Sequence, residues 1–152
     1  MINEVNLHSV TFNELPLKFE AGTPNIAQVI GLGESIDFIS KIGINKINEY
    51  ERYLTKYALK KLRLNDKIEL YANSKHQGSV ISFNIQGINA YDLAEFLDQK
   101  NIAVRVGHHC AQPLMKVLGV PSTIRISFYL YNTIEEIDFL DLSIEEAIKF
   151  FL

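Results

Sequence analysis

The chain has 152 residues, a formal net charge of −3 at pH 7 and 47% hydrophobic residues, which suffices for one domain with a real core, or for one domain with an appendage. Acidic and basic residues are mixed along the chain without a basic cluster, so no nucleic-acid partner is expected, and no apolar run approaches the roughly 20 residues of a membrane helix. The single cysteine permits no internal disulfide and the N-terminus lacks the features of a signal peptide, so we expect a soluble cytoplasmic protein.

The first 21 residues contain alternating apolar positions but no helical period. This pattern predicts an extended arm or ribbon, which needs a surface to lie on. Thr23 and Pro24 follow, as a predicted N-cap and first residue of a helix that ends at Gly43. The free N–H groups of such a helix start form a potential anion site, and an ordinary capped helix is the alternative interpretation.

The middle of the chain alternates helices and strands. A second amphipathic helix is predicted over 45–63, and strands are predicted over 68–72 and 80–85. His76 lies in the polar loop between these strands, where we expect a solvated side chain. A helix capped by Asn89 is predicted to run to about residue 100.

The last third contains two more strands, predicted over 103–106 and 123–130, with a short helix over 113–118 between them. Thr133 and Glu136 form a capping box that opens the final helix. Two long helices, a sheet of about four strands and interleaved shorter helices together predict an α+β two-layer sandwich.

Cys110 is the only cysteine and directly follows His108 and His109 at a predicted strand-to-helix turn. Such a turn exposes a nucleophile between rigid neighbours. A nearby cation such as Arg105, and the start of a helix, both favour the thiolate. The alternative is a small buried packing residue, but the polar neighbours favour the reactive interpretation.

Arg125 lies on the polar face of a strand whose other face is apolar. A strand is a rigid mount for a guanidinium that binds a carboxylate through two hydrogen bonds, and a surface ion pair is the alternative. A metal site at His108, His109 and Cys110 is disfavoured, because consecutive side chains of an extended segment point to opposite faces and no second ligand pair has zinc-like spacing. A Cys–His hydrolytic pair with one histidine as base is a further alternative, which ranks lower because neighbours in sequence rarely reach each other in the required geometry.

Three segments carry a resemblance to a known family. They are FEAGTP at 19–24, RVGHHCAQPLM at 105–115 and GVPSTIRISFYLYNT at 119–133. In this order they closely resemble the C-terminal part of SUF-type cysteine desulfurases, also called selenocysteine lyases, of the aminotransferase class V family. The similarity extends from Met1 into the last helix.

This resemblance implies the small C-terminal domain of the class V fold of pyridoxal-phosphate-dependent transferases over 22–152, with 1–21 as an arm packed on the large domain. It also implies a dimeric enzyme that moves sulfur from L-cysteine to a cysteine persulfide for iron–sulfur cluster assembly and releases alanine. A SUF-type sulfur-acceptor protein and the large domain or a second subunit are the implied partners.

The resemblance also implies residue roles. Cys110 matches the persulfide-forming nucleophile, and Arg125 matches the arginine that binds the substrate carboxylate. Arg105 matches an active-site arginine near the nucleophile, whose role stays open. Thr23 matches a threonine that reaches the cofactor phosphate of the partner subunit.

His108 and His109 are candidates for supporting roles beside the nucleophile. No lysine of the chain matches the family's Schiff-base motif, which belongs to the large domain, and Lys18 stands where the family typically has arginine. We therefore expect the isolated chain to be inactive. The alternatives are a persulfide-carrying or acceptor-docking domain without desulfurase activity, and a structural remnant. The acceptor, the preference for cysteine or selenocysteine and the oligomeric state stay open.

Overall fold

The computed structural model describes residues 1–71 and 77–152. The prediction of a solvated His76, and the last residue of the predicted strand 68–72, lie outside the described residues. The elements in chain order are β1 (Ile2–Val5), β2 (Val10–Phe12), a 3-10 turn (Leu17–Phe19), α1 (Ile26–Ile42), α2 (Ile44–Leu62), β3 (Ile68–Tyr71), β4 (Val80–Ile85), α3 (Ala90–Asp98), β5 (Arg105–Gly107), α4 (Gln112–Leu118), β6 (Thr123–Ser127) and α5 (Ile134–Phe151).

The described residues form two compact units, 1–44 and 45–152. In the first unit β1 and β2 pair as an antiparallel ribbon. No residue of α1 is buried, although the helix carries large apolar side chains at Ile26, Val29, Ile30, Leu32, Ile36 and Phe38. The predicted boundary after residue 21 falls inside this unit, and the packing of residues 1–21 on another domain stays a prediction.

The predicted start of α1 is wrong by two residues. The N-cap is Asn25 rather than Thr23, and the Asn25 side chain makes no capping hydrogen bond. The N–H of Ile26 donates to the carbonyl of Pro24 at 2.8 Å, and Asn25 has φ −73° and ψ 68°. These angles are those of an inverse γ-turn, which reverses the chain before the helix begins and leaves Pro24 outside it.

The second unit contains a four-stranded antiparallel sheet in the order β3-β4-β6-β5. β5 begins and ends later than the predicted strand 103–106, and β6 ends at Ser127 rather than at residue 130. The reason for the earlier end is a turn, because the N–H of Tyr129 donates to Oδ1 of Asn132 at 2.8 Å. The chain therefore leaves the sheet before α5.

One face of the sheet is covered by helices. β4 alternates as its sequence predicts: Ile81 and Phe83 are buried, whereas Ser82 and Asn84 point to the opposite face. Residues of α2, α3 and α5 join the sheet in one apolar cluster, whose buried members include Leu54, Ala58, Leu62, Leu93, Leu97, Leu140 and Ile144. The predicted α+β two-layer sandwich is confirmed, with a polar sheet face opposite the helices.

Side-chain caps fix the starts of α3 and α5. The side chain of Asn89 accepts a hydrogen bond from the N–H of Tyr91 at 2.9 Å. At α5 the N–H of Glu136 donates to Oγ1 of Thr133 at 3.3 Å, and Oε2 of Glu136 accepts from the N–H of Thr133 at 3.1 Å. Both predicted caps are confirmed. Among the described residues, no helix combines the length and apolar character needed to cross a membrane.

Candidate active site

Residues 108–111 join β5 to α4, and together with Gly107, the last residue of β5, they are called the cysteine turn. Its backbone is unusual, since Gly107 has φ +121° and the non-glycine residues His109 and Cys110 have φ +56° and +60°. The N–H of Ala111 closes the turn on the carbonyl of His108 at 2.9 Å. Left-handed residues other than glycine cost about 1–3 kcal/mol each and persist only where their surroundings hold them.

Cys110 is exposed, so the alternative of a buried packing cysteine is wrong. Its Sγ lies 3.6 Å from Nη2 of Arg105. The guanidinium N–H donates toward the sulfur, and a neighbouring cation is typical of the surroundings of reactive cysteines. The thiol opens on a shallow cleft of about 530 Å3, lined among others by Tyr91, His108 and Pro113.

Arg105 and Arg125 lie directly opposite each other on the antiparallel strands β5 and β6. Opposite residues of such a pair point to the same face, and like charges there repel. Nε of Arg125 is buried and has no hydrogen-bond partner among the described residues. Two guanidiniums with an unused buried donor favour an anion on this face, and a carboxylate fits the bidentate geometry of arginine.

His109 turns toward the sheet. Its Nε2 lies 3.0 Å from the carbonyl oxygen and 2.9 Å from Oγ1 of Thr123, a residue with 0% of its surface exposed. Burial lowers the pKa of His109, and electrostatic repulsion by Arg125, Arg105 and His108 lowers it further, against an opposing hydrogen bond to the Thr123 backbone. The imidazole is therefore neutral at pH 7.

The two histidines differ in their surroundings. His108 is exposed and lines the cleft, whereas Nδ1 of His109 is buried and has no hydrogen-bond partner among the residues that the structure describes. Within residues 1–71 and 77–152, Sγ of Cys110 has its hydrogen-bond contact with Arg105 rather than with either histidine. No group of three or more His, Cys, Asp or Glu side chains in those ranges could hold a metal ion.

The structure thus brings Arg105 at the start of β5 and His108, His109 and Cys110 of the cysteine turn to one cleft, with Arg125 on the neighbouring strand. Thr23 belongs to the other compact unit, where it is exposed and does not cap α1.

Two residues of the site, Thr123 and Tyr91, have no predicted role in the sequence. The strand alternation that places Arg125 on the polar face also places Thr123 there, so the sequence pattern could have identified Thr123 as a residue of this face. Tyr91 reaches the cleft from α3, and no local pattern indicates that a helix residue approaches the cysteine turn.

The aminotransferase class-V family model matches residues 1–140. The chain belongs to the aminotransferase class-V family. It is 47% identical to a probable cysteine desulfurase of Staphylococcus epidermidis over 152 residues, which is 99% of this chain and 37% of that protein. A probable cysteine desulfurase of Staphylococcus aureus matches with the same identity and coverage. The chain therefore spans about 37% of the length of the curated relatives it matches.

Solved structures of class-V relatives have the same fold. The apo cysteine desulfurase of Thermococcus onnurineus superimposes with a TM-score of 0.87 at 39% identity, over 97% of this chain and 37% of that one. The cysteine desulfurase CsdA of Escherichia coli superimposes with a TM-score of 0.90 at 33% identity, over 100% of this chain and 38% of that one. The relatives found by sequence are thus named probable cysteine desulfurases, and the two solved structures are named cysteine desulfurases.

Proposed function

We propose that this class-V chain is the sulfur-receiving C-terminal domain of a cysteine desulfurase that uses pyridoxal phosphate. The observation that carries the proposal is the exposed thiol of Cys110, 3.6 Å from the guanidinium of Arg105 on a turn beside Arg125. The 47% identity to probable cysteine desulfurases supports the same reaction class.

Cys110 acts as the nucleophile toward the sulfur of L-cysteine. Its thiolate attacks the substrate sulfur, a sulfur–sulfur bond forms, and the Cβ–S bond of the substrate breaks. The electron pair of that bond stays with the substrate carbon, which takes up a proton, so the products are a Cys110 persulfide and alanine. Arg105 stabilises the thiolate before the attack, because a cation beside sulfur favours its charged form.

Arg125 binds the carboxylate of the amino acid. Its strand is held between β4 and β5, so the guanidinium is positioned before substrate arrives. Its buried Nε, which has no partner within residues 1–71 and 77–152, is a donor that a carboxylate satisfies, and bidentate binding fixes the orientation of the substrate.

The residues present fit the phosphate end of pyridoxal phosphate. Thr23 is exposed and does not cap α1, so its hydroxyl is available for the phosphate bound by a partner subunit. Pyridoxal phosphate, when bound, supplies the electron sink that this chemistry requires. We place the lysine that holds it in the part of the relatives that this chain does not span, and we infer that the isolated chain is inactive.

The same proposal covers the partners. We propose a cytoplasmic, dimeric enzyme that passes sulfur to a SUF-type acceptor for iron–sulfur cluster assembly. The exposed apolar side chains of α1 support an association with the large domain or a second subunit, because monomeric proteins rarely expose large contiguous apolar patches.

The test is complementation with the remaining polypeptide of the Staphylococcus epidermidis relative, the part that this chain does not match. L-cysteine and pyridoxal phosphate are added, and alanine release and the persulfide on Cys110 are measured. We expect alanine only from the mixture, no persulfide with Cys110→Ala, and a raised KM with Arg125→Lys. Enzymatic alanine release by the chain alone, or sulfur transfer by the Cys110→Ala mixture, would contradict the proposal.

A second candidate is a persulfide carrier without desulfurase activity, which the exposed Cys110 also favours. The same assay separates the two functions when a low-molecular-weight persulfide replaces L-cysteine. A carrier becomes persulfidated by that donor and passes sulfur on, but its mixture with the complementary polypeptide releases no alanine.

A further inference from the structure

We propose that His109 is a positioning residue that anchors the cysteine turn to Thr123 and thereby holds the thiol of Cys110 against Arg105. This proposal depends on the proposed function only because it takes Cys110 as the reactive thiol. The observation that supports it is geometric: one nitrogen of the imidazole contacts two oxygens of a fully buried threonine.

The contacts determine the tautomer. A backbone carbonyl oxygen only accepts hydrogen bonds, so Nε2 of His109 must carry the proton that reaches Thr123 at 3.0 Å. The hydroxyl of Thr123 at 2.9 Å is then a second acceptor for the same N–H. The proton-free nitrogen of the ring is Nδ1, which is buried and has no hydrogen-bond partner in the described part of the chain.

The charged surroundings keep this tautomer neutral. Arg105 faces the imidazole from β5, Arg125 from β6 and His108 from the turn itself, and each opposes a positive charge on His109. Tyr91 of α3 lines the same cleft. A second proton on the ring would add a buried donor at Nδ1 without an acceptor, beside two guanidiniums.

The contact between His109 and Thr123 lies where it can fix the conformation of the cysteine turn. Thr123 pairs with Gly107 across β6 and β5, so the imidazole ties the middle of the turn back to the strand pair from which the turn departs. His109 and Cys110 are the two consecutive left-handed residues. Holding the first by its side chain restricts the second, and Sγ then stays 3.6 Å from Nη2 of Arg105.

The test is a double-mutant cycle on the alkylation rate of Cys110 by iodoacetamide at pH 7.5, which needs no cofactor and reports one thiol, since the chain has a single cysteine. We expect Arg105→Gln to slow alkylation about tenfold, which corresponds to about 1.4 kcal/mol. In a His109→Ala background the same Arg105→Gln change should alter the rate less than twofold, because the thiol no longer lies against the guanidinium.

Conservative variants keep the test independent of folding. His109→Gln retains an N–H that can reach the carbonyl of Thr123, so most of the Arg105 effect should return. Thr123→Val removes the hydroxyl and should reduce the Arg105 effect in part. Thr55→Val is the matched control, because Thr55 is another buried threonine whose hydroxyl donates elsewhere, to the carbonyl of Glu51 at 2.8 Å; it should leave the cycle unchanged.

A spectroscopic signature completes the test. Long-range 1H–15N spectra should show a proton on Nε2 and none on Nδ1 of His109 at pH 7, and Thr123→Val should shift the Nε2 resonance. Equal effects of Arg105→Gln with and without His109, or a protonated Nδ1, would overturn the positioning role. If the complemented wild-type enzyme released no alanine while the alkylation cycle gave the expected result, the proposed function alone would be contradicted.

Discussion

Gly107 offers a direct test of how the cysteine turn is built. It has φ +121°, a region that side chains rarely adopt, and it precedes His108 at the end of β5. A Cβ added there would lie 3.4 Å from the hydroxyl of Tyr91, which is ordinary contact distance and costs little. The backbone strain of about 1–3 kcal/mol therefore decides the outcome for Gly107→Ala.

The assay is urea unfolding together with thermal unfolding. For a chain of this size, about 1–3 kcal/mol corresponds to a fall in Tm of roughly 2–12 °C. Gly33→Ala is the matched control, because Gly33 lies inside α1 and no atom of the described residues would come within 4 Å of an added Cβ. There alanine should be neutral or stabilising by about 0.5–1 kcal/mol, since glycine weakens a helix interior.

A second substitution separates strain from contact. Tyr91→Phe removes the hydroxyl next to Gly107, so it would rescue Gly107→Ala only if the contact set the cost. We expect no rescue. Wild-type stability for Gly107→Ala, or full recovery with Tyr91→Phe, would refute the assignment of the cost to the backbone.

Two further predictions concern stability. Thr133→Ala breaks the capping box of α5 and should lower the free energy of unfolding, measured in urea, by about 1 kcal/mol. Thr133→Ser should retain most of the wild-type stability. Wild-type stability of Thr133→Ala would contradict the role of the cap. The folded protein lowers the pKa of His109 below 6.5, so the unfolded chain binds the proton more readily. The free energy of unfolding should therefore fall as the pH drops from about 6.5 toward the folded pKa, and it should level off below that pKa. Comparing urea unfolding at pH 7.5 and 5.5 should give a smaller loss for His109→Gln, and an equal loss would contradict the neutral imidazole.

Much of the second unit follows from local sequence signals. The alternation in 80–85, the caps at Asn89 and Thr133 and the glycine after α4 each act within a few residues, so their physics is readable from the sequence. The start of α1 was predicted wrongly at Thr23, because a γ-turn at Asn25 competes with the cap and leaves no distinct pattern.

The sequence by itself determined that one cysteine follows two histidines between a strand and a helix, and that Arg125 shares the polar face of its strand. It could not determine which histidine turns inward, because that depends on Thr123 reaching the turn from a neighbouring strand. The opposition of Arg105 and Arg125 likewise depends on strand register. These contacts join residues 14 to 20 positions apart, and only the tertiary structure decides such distances, since sequence patterns report neighbours along the chain.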